Sequence, residues 1–255
     1  MPRQLVIQLK KELFESARKK RLLILAIVFV AAGIMSPTLA KLMPEIMKTA
    51  LPEGMSVQLP APTSVDAWTQ FFKNSLQFGL LALVLLYADT LCGEVTAGTL
   101  INLLTKGLDR RWVVLGKALQ LFLLWTAGFW LSFAVSWGYT RYFFDDAPAG
   151  SLFFSCLALW LYGCLFLSFL MTASAIAASG LQSLLLMALL LGLTMLLGIF
   201  KRIQRFDPFT LGSRNLEWLT GSAQLADSWP AFVLALVLLG GALVSAVMLF
   251  QRRLL

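Results

Sequence analysis

The chain predicts an all-α integral membrane fold: six transmembrane helices, an amphipathic interfacial helix ahead of them, and a polar helical hairpin between the second and third. Three observations carry this. Of the 255 residues, 59% are hydrophobic and only 13% are charged, against roughly 25% charged in soluble domains. Uncharged runs of membrane length recur along the chain, at about 20 residues per helix. Polar residues gather between those runs, above all in the stretch 94–117, which reads EVTAGTLINLLTKGLDRRWVVLGK.

Residues 1–21 place Leu5, Val6, Leu9, Leu13, Phe14 and Ala17 at helical spacing, with Lys10, Lys11, Ser16, Lys19 and Lys20 mostly opposite. This pattern predicts a helix lying in the headgroup plane. The first span follows at residues 22–40, too long for a signal peptide and without a convincing small-residue cleavage site. Residues 41–75 read as an external loop, because Pro37, Pro44, Pro52, Pro60 and Pro62 deny that region continuous regular structure. At its end Thr63-Ser64-Val65-Asp66 is a capping start for a helix that carries Trp68, Phe71 and Phe72 into the membrane.

The second span, residues 76–88 and the next few, leads into the hairpin at residues 94–111. Residues 94–106 fit about three helical turns, with Leu100, Ile101, Leu103 and Leu104 apolar and Thr96, Asn102 and Lys106 polar. Gly98 falls inside that helix at a cost of about 1 kcal/mol relative to alanine, which suggests another surface approaching closely. Gly107 suits the helix end and Asp109 an N-cap for the third span, residues 119–138. The run 147–200 is long enough for two spans, with the break at Ala178-Ser179-Gly180-Leu181-Gln182. Residues 201–229 form a second external piece, with Asp207-Pro208 and Ser213 as helix starts, folding back against the outer leaflet. Pro230 opens the last span, which ends at Arg252-Arg253. Glycines of the fifth and last spans, among them Gly192, Gly240 and Gly241, permit close helix approach.

If the spans alternate from an N-terminus in the cytoplasm, the inner segments hold the whole formal charge of +8 and the outer ones balance to zero. That is a topology signal, with both termini inside, and it leaves no nucleic-acid patch. Cys92, Cys156 and Cys164 lie in or at the ends of apolar helices, so neither a disulfide framework nor a metal site is expected. The chain has no histidine, which removes serine–histidine hydrolysis, imidazole ligation of haem and most zinc sites. No ionisable group is expected near the bilayer midplane, which argues against ion-coupled transport. Leu115-Gly116-Lys117-Ala118 lacks the glycine loop and hydroxyl of a nucleotide site. No catalytic residue, cofactor or metal ligand is therefore expected, and any energy must come from elsewhere.

Three stretches carry a resemblance: the basic start KKELFESARKKR, the segment WTQFFKNSLQFGLLALVLLYADTL, and GEVTAGTLINLLTKGLDRRWVVLGK. Over nearly its full length the chain resembles the ABC-2-type permeases, the membrane subunits of bacterial ABC exporters. The matching positions are Glu94, Gly98-Thr99-Leu100, Leu103-Leu104, Arg110 or Arg111, and Gly116-Lys117. Many members carry a proline where this chain has Lys106-Gly107-Leu108-Asp109, so the turn geometry departs from the family pattern. The resemblance implies a cytoplasmic coupling helix at residues 94–106, seated with the interfacial helix in a groove of a separate ATPase subunit that binds ATP and magnesium. It also implies a second permease copy, a homodimer with two ATPases, in the bacterial cytoplasmic membrane. Under that reading Glu94 holds the hairpin by an ionic or helix-terminal contact. Gly98, Thr99, Leu100, Leu103 and Leu104 belong to the docking element, Arg110 and Arg111 meet the ATPase or lipid phosphates, and Leu9, Lys10, Leu13 and Phe14 form the interfacial helix; the alternatives are burial of Leu100, Leu103 and Leu104 against the chain's own spans and simple positive-inside anchoring by the two arginines. A mostly apolar pathway favours amphipathic cargo: a peptide, drug or lipid. The alternative is a self-contained channel or assembly scaffold.

Overall fold

The computed structural model describes residues 2–50, 61–100, 105, 107–148, 150–198, 206–223 and 228–253, and every regular element within them is helical. Helix α1 (Pro2–Arg18) turns through Lys20, whose φ is 57°, into α2 (Arg21–Ala50). Helix α3 (Ser64–Asn74) continues through a π-helical turn at Ser75–Leu80 into α4 (Leu81–Tyr87) and then α5 (Cys92–Thr96). Next come α6 (Arg110–Phe143), α7 (Leu152–Ile176), α8 (Gly180–Gly198), the short α9 (Thr210–Ser213) and α10 (Asn215–Leu219), and α11 (Trp229–Arg252).

Among the described residues five segments are long and apolar enough to cross a membrane: Arg21–Met47, Ser64–Thr96, Arg110–Phe143, Leu152–Ile176 and Trp229–Arg252. The expected fifth of six spans corresponds to α8, whose apolar part Gly180–Met195 is shorter than these. Leu23 and Ile27 on α2, Leu185 and Leu189 on α8, and Val233 and Val244 on α11 point outward, as suits side chains facing lipid.

The loop expected from residue 41 starts later than its prolines suggest. Helix α2 runs through both Pro37 and Pro44 to Ala50. Around Pro37 the hydroxyls of Ser36 and Thr38 donate to the carbonyls of Ala32 and Ile34, at 2.7 and 2.8 Å. Hydroxyls and neighbouring helices make proline tolerable in a span where water would not. At the far end of the loop the capping start is present: the Thr63 amide donates to the Asp66 carboxylate at 2.9 Å.

Helix α7 lies at the centre and packs against α6, α8, α9, α10 and α11. Lipid is as apolar as leucine, so close fit and interhelical hydrogen bonds hold the bundle rather than the hydrophobic effect. The Phe29 ring occupies the space where a Cβ on Gly79 or Gly128 would stand, 2.5 and 2.3 Å from its nearest ring atoms. Trp125 packs over Gly163 in the same way and donates its indole N–H to Trp160 O at 2.9 Å. The glycines expected to mediate close approach, Gly192, Gly240 and Gly241, have nothing among the described residues within 4 Å, because they lie on outward faces of α8 and α11.

In the segment expected to fold back as short helices, the described residues 206–223 form α9 and α10, which pack against α7. Leu211, Trp218 and Leu219 are buried, and Asn215 donates to Ser155 O at 2.9 Å. Phe206 and Leu216 remain exposed.

Candidate functional site

Helix α1 turns a polar stripe inward. Gln8, Glu12 and Ser16, one helical turn apart, are buried, whereas Val6, Ile7 and Phe14 are exposed. The facing surface of α6 supplies Gly116, Lys117 and Gln120. A Cβ on Gly116 would lie 2.6 Å from Gln8 Cγ, so glycine is what lets α1 lie so close. Ser16, expected on the outward face with the lysines, belongs to this contact. Gln120 donates to its hydroxyl at 2.7 Å and to Glu12 O at 2.9 Å, and Tyr87 donates to the same hydroxyl at 2.8 Å.

Four charges meet here. Lys117 Nζ stands 2.8 Å from Glu12 Oε2 and 3.3 Å from Glu94 Oε1. Lys11 Nζ stands 2.6 Å from the same Glu94 oxygen and 3.2 Å from Glu12 Oε1. The Lys117 and Glu12 side chains are 5% and 6% exposed, so this is a low-dielectric pair in which removing either charge leaves the other buried with only a more exposed counter-ion. Burial by itself would lower the Lys11 ammonium. The hydrogen bond to Glu94 and the charges of Glu12 and Glu94 overcome that effect and hold its pKa above the ordinary 10.5. At the margin, the hydrogen bond from Lys19 lowers Glu15.

Carboxylate oxygens of Glu12, Glu15 and Glu94 lie within 4.8 Å of one another. Lys11 lies within 4.0 Å of all three carboxylates, so the cluster is built around ammonium groups rather than a metal ion. A cavity of about 400 Å³ opens beside it, lined by Lys11, Glu15, Tyr87, Asp89, Glu94 and Thr99 among others.

The hairpin begins at α5. Gly98 does not sit inside a continuous helix as expected: its φ is +66° and nothing among the described residues lies within 4 Å of its Cβ position. It ends α5 in the left-handed conformation that glycine adopts without strain. Thr99 donates to Glu94 O at 3.4 Å. Leu100 is fully buried in the chain's own core, so its side chain is not free for a partner. Leu103 and Leu104 lie outside the described residues.

At the other root Gly107 has a φ of +87° and its carbonyl accepts from Gln4 at 3.3 Å. Asp109 caps α6, accepting from the Arg111 amide at 2.9 Å. Arg110, expected to reach outward, instead donates to Gln251 O and Arg253 O at 3.1 and 2.7 Å, satisfying the carboxyl end of α11. Arg111 pairs only with Asp109 among the described residues and its side chain is 59% exposed. On α1, Lys10 and Phe14 are exposed and Leu9 and Leu13 half-buried.

Sequence reasoning missed Gln8, Glu12 and Gln120 as site members, and took Lys117 only as part of a motif and of the positive-inside signal. The usable signal was a polar stripe at positions i, i+4 and i+8 of a helix whose outward side was itself apolar. The three stretches that carried the resemblance converge here: Lys11 and Glu12 from the first, Tyr87 from the second, Glu94 and Lys117 from the third.

No curated protein matches the chain. The family described as ABC-2 family transporter protein matches over residues 7–255, almost the entire length. With its apolar helices and the polar knot that ties α1, α5 and α6, this multi-pass membrane chain belongs to the ABC-2 transporter family as a permease, the non-catalytic membrane component of transport.

Proposed function

We propose that the chain is the membrane subunit of an ATP-driven exporter, moved by a separate ATPase that grips the hairpin between α5 and α6 together with α1. The observation that carries this reading is Glu94, whose one carboxylate oxygen is held by Lys11 of α1 and Lys117 of α6. A push on the hairpin therefore reaches two helices at once through charge-assisted contacts. ATP and magnesium belong to the partner, whose closure on nucleotide would tilt the spans. In this reading α8 is the sixth span: its 19 residues reach about 28 Å. The α1 end faces the cytoplasm, Phe14 and its apolar neighbours rest in the inner headgroups, and a second copy completes the pathway. The cargo is amphipathic, in keeping with a chain whose spans are mostly apolar.

The test is co-purification of the full chain from its native host with any associated ATPase, followed by ATP hydrolysis in liposomes. Wild type should retain the ATPase stoichiometrically. Arg111→Glu and Leu103→Asp should each lose it while still inserting in the membrane. A well-behaved oligomer that conducts ions without any ATPase would overturn the proposal.

A further inference from the structure

At the end of the bundle away from α1, a cavity of about 540 Å³ lies between the start of α3 and the end of α6. Trp68, Trp137, Thr140, Arg141, Asp145 and Asp146 form much of its wall. The charges here are arranged unlike those of the buried knot. Asp146 is committed: its carboxylate accepts from the Ser64 amide at 3.0 Å and the Ser64 hydroxyl at 2.8 Å, at the positive end of α3. Arg141 and Asp145 are exposed, and neither forms an ion pair with any described residue. The Arg141 guanidinium stands 5.1 Å from the Trp137 ring centroid, so it is held over an aromatic face with its donor edge uncommitted.

The cavity thus offers one uncommitted cation and one uncommitted carboxylate beside indole walls. Its surroundings indicate where a ligand would come from. Trp137, Tyr139 and Tyr142 are all exposed at this end of α6, with Tyr142 at 82%, forming the kind of aromatic girdle that sits among lipid head groups.

We infer that this cavity binds a zwitterionic phosphate–ammonium group, with the phosphate at Arg141 and the ammonium at Asp145. Arginine offers planar, charge-assisted donors suited to phosphate. The carboxylate beside it accepts the ammonium and disfavours a head group that is only anionic. Phosphatidylethanolamine in the bilayer and a free phosphoethanolamine-bearing molecule share this chemistry. The inference depends on neither the ATPase reading nor the side of the membrane that this end faces.

Native mass spectrometry of the detergent-purified chain, titrated with dioleoyl phosphatidylethanolamine or dioleoyl phosphatidylglycerol, tests it. Charge contacts at an exposed site are screened by solvent, so wild type should prefer the zwitterionic lipid by up to about fivefold. Asp145→Asn should erase the preference while keeping phosphatidylglycerol binding. Arg141→Gln should weaken both lipids. Displacement of bound lipid by soluble phosphoethanolamine would identify the zwitterion alone as sufficient, whereas no displacement would place the ligand in the bilayer. Equal binding of the two lipids by wild type, or a preference unchanged in both variants, would overturn the inference.

Discussion

The two ends of this molecule use paired positive and negative charges in opposite ways. Beside α1, two lysines and two glutamates neutralise one another, with Lys117 and Glu12 almost wholly out of solvent. At the far end Arg141 and Asp145 line one cavity without joining. Burial makes the difference. A charge withdrawn from water must be matched within the fold, whereas a charge at the surface can remain free for something else. The knot beside α1 is therefore read as a mechanical joint, and the far end as a receiving surface.

The contrast can be broken most severely at Lys117. Lys117→Met leaves Glu12 buried with only Gln8 and the half-exposed Lys11 beside it, and should cost about 3–5 kcal/mol, read as a large drop in the melting temperature of the detergent-purified chain. A drop no greater than that of a surface substitution would mean that the knot is not the joint described. Adding Glu12→Gln to Lys117→Met should recover part of the loss, since the stranded charge is then gone.

A smaller effect comes from alkali. The Lys11 pKa is raised in the folded chain, so its stabilising contribution is complete below the ordinary 10.5 and is lost as pH rises through the higher folded value. Melting temperature measured against pH should fall more steeply above 10.5 in wild type than in Lys11→Met. The side chain is 35% exposed, so screening limits the gap to about 1 kcal/mol or less. The smallest effect belongs to the far end. Arg141→Gln and Asp145→Asn should each change stability by no more than about 0.5 kcal/mol, because neither removes a partner from a buried group.

Much of the architecture was legible because membrane constraints write themselves plainly into sequence. The Asp109 cap, the end of α7 before Gly180 and the capping start at Thr63 follow from local chemistry, and the helices formed where those signals stood. Proline misled at Pro37 and Pro44, since its cost in water does not carry over to a packed span. Leu100 took the burial alternative and Arg110 a partner within the chain. An apolar side chain in a polar hairpin and an arginine at a membrane edge look outward-bound, yet one filled the core and the other closed the end of α11. Such long-range pairing, across 143 positions for Arg110 and Arg253, leaves no periodic trace. The inward polar stripe of α1 escaped because amphipathicity identifies two faces without saying which one meets protein and which meets lipid.

Phe29 carries a consequence for how this chain can move. One ring from α2 is keyed into notches on both the π-helical turn and α6, at Gly79 and Gly128. Sliding any of these three rods along another would drive benzene carbons into backbone, as a dowel through three boards resists shear. Whatever displacement accompanies a transport cycle must carry that trio together, leaving relative travel to surfaces elsewhere in the bundle.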